Sequence, residues 1–75
     1  MESYQERLIE EYSQLVRRTR ALSLRLKAEP LLTEDDFLMD AQRHAMQNYI
    51  RILELRGKHA GILDEMLKAV DDHEQ

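Results

Sequence analysis

Cysteine is absent from the sequence, and so is any hydrophobic run long enough to cross a bilayer. Without cysteine the chain forms neither a disulfide nor a thiolate metal site. A membrane-spanning helix needs about 20 consecutive apolar residues, which no segment supplies, so we expect no membrane partner. The acidic start MESYQERLIEE contains no apolar h-region. We therefore expect no signal peptide, and the absence of cysteine is compatible with the cytosol.

Catalytic motifs are also missing. The sequence has no Ser/His/Asp or Cys/His arrangement and no glycine-rich phosphate loop. Asp40, His44 and Asn48 follow one another at four-residue intervals, but a metal ion would need further ligands, and a solvated helix face explains the spacing. His59 is interpreted as a surface or interface histidine. We therefore expect no enzyme, no metal site and no cofactor.

The composition is that of a helical protein with polar and apolar faces. Of its 75 residues, 43% are hydrophobic and 35% are charged, which is atypical of a disordered chain. The length allows one domain, residues 1–75, whose small core favours either idealised helix packing or oligomerisation. The net charge of -4 disfavours nucleic-acid binding, because that requires a basic surface.

The first helix is predicted over residues 3–28. Ser3 fits the N-cap, and Glu6 completes a capping-box pattern. Apolar positions then alternate at steps of four and three, which is typical of a seam against another helix. This seam consists of Leu8, Tyr12, Leu15, Thr19, Leu22 and Leu26.

A turn is predicted over residues 29–33. Pro30 ends the first helix, because it lacks an N–H donor and disfavours helical dihedrals at Glu29. Thr33 is the predicted N-cap of the second helix, with Asp36 at the capping-box distance. Such a short connection predicts that the two helices are antiparallel neighbours.

The second helix starts at Glu34, and two interpretations of its end compete. In one, the helix breaks near residues 57–61, where Gly57 fits a left-handed C-cap, and a short third helix follows over Ile62–Asp71. In the other, it continues to about residue 72. We favour continuity, because apolar groups recur at steps of three and four without a break. They are Met46, Tyr49, Leu53, the stem of Arg56, Ala60, Leu63, Leu67 and Val70.

The predicted inward face of the second helix consists of Phe37, Leu38, Ala41, Ala45, Met46, Tyr49, Ile52 and Leu53. A continuous helix would be about 58 Å long, against about 39 Å for the first helix. Its overhanging end would expose an apolar stripe, which we predict to be an oligomer interface formed by Ile62, Leu63, Met66, Leu67 and Val70. The predicted fold class is all-α: an antiparallel helical hairpin with a long second helix, assembled into a homo-oligomeric bundle with an even number of copies.

Five basic residues fall within eleven positions of the first helix: Arg17, Arg18, Arg20, Arg25 and Lys27. One interpretation is a solvated face balanced by the acidic residues Asp35, Asp36 and Asp40. The other is an anion site, because arginine binds phosphate through a fork of N–H donors. Arg18 and Arg25, one heptad apart, are candidate ligand-binding residues.

A second candidate site lies at the open end of the hairpin. Pairing the helices around the turn brings Tyr4 and Arg7 opposite Arg56 and Lys58. Tyrosine rings stack on bases and arginines hold phosphates, whereas the competing interpretation is a core edge with snorkelling arginines. The candidate ligand-binding residues here are Tyr4, Arg7, Glu11, Tyr49, Arg56 and Lys58.

The same polar residues carry a family resemblance. Tyr4-x-x-Arg7-Leu8-x-x-Glu11, followed by Gln42-x-x-Ala45-Met46-x-x-Tyr49-x-x-x-Leu53-x-x-Arg56, resembles a widespread family of small phage and prophage proteins related to an uncharacterised crAss-like phage protein. The resemblance covers about residues 3–56. It implies a viral accessory protein in the host bacterial cytoplasm. By analogy of size and architecture, it suggests a counter-defence factor that sequesters a nucleotide second messenger.

The leading hypothesis is therefore a non-enzymatic homo-oligomer that sequesters an anionic nucleotide-like immune signal, such as a cyclic nucleotide or an ADP-ribose derivative. The alternative is an adaptor or inhibitor that docks on a host protein through Met66, Leu67 and Val70. A third hypothesis, a small DNA-binding regulator that uses the basic ridge of the first helix, is disfavoured by the net charge.

Overall fold

Three α-helices account for most of residues 3–74, the part of the chain that the computed structural model describes. They are α1 (Ser3–Ala28), α2 (Glu34–Ala60) and α3 (Leu63–Glu74). The described residues contain no strand, so the predicted all-α class is correct. Within the same range, no helix is both long and apolar enough to cross a membrane. Residues 1, 2 and 75 of the predicted domain lie outside the described residues.

The predicted capping box starts α2. The backbone N–H of Asp36 donates to Thr33 Oγ1 over 3.1 Å, and Asp36 Oδ2 accepts the N–H groups of Thr33 and Leu32, each over 3.0 Å. These backbone donors, that of Thr33 first, hold the pKa of Asp36 below its usual value, because they stabilise the carboxylate. The N-terminal boundary of α2 is therefore fixed by local hydrogen bonds.

The end of α2 differs from the favoured prediction. The helix passes through Gly57 but ends at Ala60, and Gly61 adopts a left-handed conformation with φ 76°. The N–H of Ile62 donates to the carbonyl of Gly57 over 2.9 Å, and that of Gly61 to the carbonyl of Lys58 over 3.2 Å. This Schellman pairing satisfies the last carbonyls and turns the chain. The prediction of one helix to residue 72 is therefore wrong.

The chain covers its own predicted overhang. Ile62, Met66 and Val70 are buried in the core of the described residues together with Leu8, Tyr12, Val16 and Leu53. Leu63 is half-buried, and Leu67 remains 43% exposed. The prediction of an overhanging helix end with an exposed apolar stripe is therefore wrong, because the turn at Gly61 brings α3 back against α1 and α2. Met66 and Val70 are likewise not exposed for docking on a host protein.

The inward face of α2 also differs from the prediction. Among the eight residues predicted to face inward, Leu53 is buried, Met46 is half-buried, and the other six are exposed. The observed inward stripe consists of Met39, Arg43, Met46, Ile50, Leu53, Gly57 and Ala60. Both sets of residues have heptad spacing, so periodicity does not indicate which one packs against α1.

Candidate functional site

A cleft at the open end of the α1–α2 pair collects polar residues from both helices. Tyr4, Arg7, Leu8 and Glu11 line one wall from successive turns of α1, and Arg56 of α2 lines the other. Its volume is about 260 Å³. Leu8 is buried in the core beneath the cleft, whereas the four polar residues are exposed. The core thus fixes the floor of the cleft, and the polar side chains form its rim.

Arg56 and Tyr4 form the central contact of the cleft. Arg56 Nη2 donates to the hydroxyl of Tyr4 over 3.1 Å, and the guanidinium carbon lies 5.8 Å from the centre of the tyrosine ring. This distance is within the range of cation–π attraction. The hydrogen bond to Tyr4 raises the pKa of Arg56 further, so this side chain carries its positive charge at every physiological pH.

Glu11 adds a negative group to the same cleft and connects it to Tyr49. The hydroxyl of Tyr49 donates a hydrogen bond to Glu11 Oε1 across the helix pair. Glu11 also attracts the positive charge of Arg56. The cleft therefore combines two guanidinium groups, an aromatic ring and one oriented carboxylate within a small volume.

The remaining candidate residues lie elsewhere. Lys58 is exposed on α2 and does not line the cleft. Arg18 lies in a shallow depression on the outer side of α1 with Gln14, Arg17 and Ala21. Arg25 lies beside the turn, where it helps to lower the pKa of Asp36. The Arg25–Asp36 attraction agrees with the interpretation of the basic cluster as a surface balanced by acidic residues.

A larger cleft, of about 490 Å³, lies between α1 and α2 and was not predicted from the sequence. At its base the hydroxyl of Tyr12 donates to Glu54 Oε2 over 2.7 Å, and burial raises the pKa of Tyr12. Arg20 and Lys27 line its rim. The seven-residue spacing of these two basic residues, which places them on one face of α1, was the feature of the sequence that could have indicated this cleft. No group of three or more histidine or acidic side chains among the described residues is arranged for a metal ion.

A family comparison matches residues 2–59 to Sequestin. The chain belongs to the Sequestin family. The Sequestin match contains the whole open-end cleft, from Tyr4 to Arg56, and ends before the turn at Gly61. No curated protein and no solved structure matches the chain.

The Sequestin name is consistent with a sequestering function, and the match extends slightly beyond the predicted resemblance over residues 3–56. The relation to phage proteins stays a prediction. Helix α3 lies outside the Sequestin match although it completes the core.

Proposed function

We propose that this Sequestin family member is a non-enzymatic, phage-encoded binding protein that sequesters an anionic nucleotide-like signal of bacterial immunity in the host cytoplasm. The observation that carries the proposal is the Tyr4–Arg56 contact, with Arg7 in the same cleft. An aromatic ring beside arginine forks suits a ligand that has both a base and a phosphate. The Sequestin name supports sequestration rather than turnover.

Each polar residue of the cleft has a role in this proposal. Arg7 and Arg56 bind phosphate oxygens through charge-assisted hydrogen bonds. The ring of Tyr4 stacks on the base. Glu11, held by Tyr49, accepts a hydrogen bond from a ribose hydroxyl, because an ionised carboxylate is only an acceptor. A ligand with hydroxyl groups therefore fits this cleft better than a bare phosphate does.

The size of the cleft supports a site shared between copies. Ligand pockets for drug-sized molecules usually measure about 300–1,000 Å³. At about 260 Å³, the cleft of one chain holds part of a cyclic dinucleotide and leaves the rest exposed. Binding between subunits of a homo-oligomer would cover the remainder.

Titration calorimetry against cyclic dinucleotides, cyclic trinucleotides and ADP-ribose derivatives tests the proposal at near-physiological salt. Arg7→Ala and Arg56→Ala should each weaken binding by about 10- to 100-fold, because a hydrogen bond to a charged group contributes about 1.5–3 kcal/mol. The matched control is Arg51→Ala, which removes an exposed arginine of α2 that does not line the cleft. Unchanged affinity in both cleft variants would contradict the site, and a panel without any bound compound would contradict the function.

A further inference from the structure

The outward face of α2 carries a second stripe, in which five of six residues are apolar. It consists of Leu38, Ala41, Ala45, Asn48, Ile52 and Leu55, all of them exposed. The large side chains at 38, 52 and 55 expose 60%, 52% and 61% of their surface. The steps of three and four between these positions are those of a coiled-coil seam. We call these six residues the outer stripe.

The outer stripe lies opposite the face that packs within the chain. Ile50 and Leu53 belong to the inward stripe, and Ile52 lies two residues after Ile50, a rotation of about 200° around the helix. Within the chain, α2 packs against both α1 and α3. Neither helix covers the outer stripe, which is exposed along its whole length, so it is an apolar helix face without a partner among the described residues.

The outer stripe is complementary to itself in the antiparallel direction. When two copies are related by a two-fold axis between positions 45 and 48, Leu38 faces Leu55 of the second copy. The other layers then pair a small residue with a larger one: Ala41 with Ile52, and Ala45 with Asn48. A parallel pair would instead place alanine on alanine in two successive layers, which leaves voids.

The flanking residues favour the same direction. In an antiparallel pair, the residues beside one edge of the outer stripe face the residues beside the same edge in the second copy. This places Asp35 opposite Arg56 on one side. On the other side the aliphatic stem of Lys58 faces the ring of Phe37. In a parallel pair Arg51 would face Arg56, and like charges at this position are repulsive. Charge complementarity therefore distinguishes the two directions.

We propose that the outer stripe is a dimer interface, at which α2 pairs with α2 of a second copy in an antiparallel coiled coil. The interface spans about 26 Å, from Leu38 to Leu55. Asn48 lies in a central layer, where a single polar residue fixes the register of a coiled coil. The dimer does not depend on the proposed ligand. It does place Arg56, and with it the open-end cleft, next to the second copy.

Sedimentation velocity over a concentration series tests the dimer. The wild-type protein should reach twice the 8.9 kDa mass of the chain. Ile52→Glu should shift the mass to that of the monomer with the helical circular dichroism retained, because Ile52 is outside the core. If that variant fails to fold, Leu55→Glu takes its place. The control, Leu32→Glu, changes a 77% exposed leucine outside the stripe and should remain dimeric.

Cysteine cross-linking tests the direction, since the chain has no cysteine of its own. A mixture of Ala41→Cys and Ile52→Cys chains should form disulfides between the two variants. Either variant alone should not, because equal positions are then about 16 Å apart along the helices, beyond the reach of a disulfide. Cross-linking of each variant alone would overturn the antiparallel arrangement. A monomeric wild-type protein would overturn the dimer and assign the outer stripe to a different protein partner.

Discussion

At Gly57, helices α2 and α3 approach each other closely. Gly57 is buried, a Cβ atom there would overlap Met66 Sδ, and the backbone of Leu63 is 3.7 Å away from that position. A glycine inside a helix costs about 1 kcal/mol relative to alanine. The close approach of Met66, which is fully buried, explains why a residue without a side chain stands here.

Gly57→Ala should therefore destabilise the protein by up to about 2 kcal/mol. Met66 is fully buried and has little room to move away from the new Cβ atom, so overpacking costs about 1–3 kcal/mol, of which the better helix propensity of alanine offsets about 1 kcal/mol. Urea denaturation followed by circular dichroism measures this free energy. In a Met66→Ala background the same substitution should cost less, because the flexible side chain that it overlaps is gone. Equal costs in both backgrounds would contradict the proposed contact.

For individual residues, the sequence predicts a structural feature well when the cause of that feature is local. The capping box of Thr33 and Asp36 could be predicted because both partners lie within one turn. Gly57 and Gly61 could not be told apart, because they differ in properties that the spacing does not report. Gly57 is required by a contact with α3, whereas Gly61 is required by a left-handed φ angle.

The start of helix α2 is held by hydrogen bonds to the carboxylate of Asp36. These hydrogen bonds make the stability of the protein depend on pH in the acidic range. Asp36 has a lower pKa in the folded protein than in the unfolded chain, where a value of about 3.9 applies. Its contribution to stability is therefore fully present above about pH 4 and is lost as the pH falls through the folded-state pKa.

Asp36→Asn should lower the melting temperature at pH 7 and reduce the loss of stability on acidification. Thermal melts between about pH 3 and pH 7 measure both effects. The matched control is Glu34→Gln, which removes an exposed acid from the same turn but leaves the capping hydrogen bonds in place. The same acid dependence in Asp36→Asn and the wild-type protein would contradict this account.

The orientation of α2 shows where sequence patterns stop being informative. Phe37, Leu38 and Ile52 belong to the predicted inward face, yet they are exposed, and Arg43 lies on the inward face instead. The helix has apolar residues at heptad spacing on two faces. Which face packs within the chain depends on the path of α3, and that path depends on a turn that the heptad spacing conceals.

At the scale of the whole molecule, the core lies at one end and needs all three helices. Three of the seven buried hydrophobic side chains among the described residues, Ile62, Met66 and Val70, follow the turn at Gly61. They are packed against Leu8, Tyr12, Val16 and Leu53 of the first two helices. Helix α3 therefore completes the core even though it lies beyond the Sequestin match.

A chain that ends at Ala60 should therefore lose cooperative unfolding, because removal of α3 exposes the apolar side chains of α1 and α2. Urea denaturation monitored by circular dichroism should give a broad transition without a folded baseline. A control chain that ends at Asp71 keeps Val70 and should unfold cooperatively. A sharp transition for the shorter chain would mean that α1 and α2 fold without α3.

The site also depends on the arrangement of the whole chain. The position of the connection between α1 and α2 in the sequence was enough to predict that Tyr4 and Arg7 lie near Arg56. A short connection determines which parts of the two helices are neighbours. The position of the connection did not separate Arg56, which points into the cleft, from Lys58, which does not. That distinction needs the rotation of α2 about its axis, which the sequence left undetermined.

The late position of α3 in the chain has a consequence for biosynthesis. While only α1 and α2 are outside the ribosome, a nascent chain presents Leu8, Tyr12, Val16 and Leu53 without the three core residues of α3 and the preceding turn, Ile62, Met66 and Val70. The core closes only after nearly the whole described chain has left the exit tunnel. A nascent chain whose α3 has not yet emerged therefore exposes apolar surface of the kind that chaperones recognise.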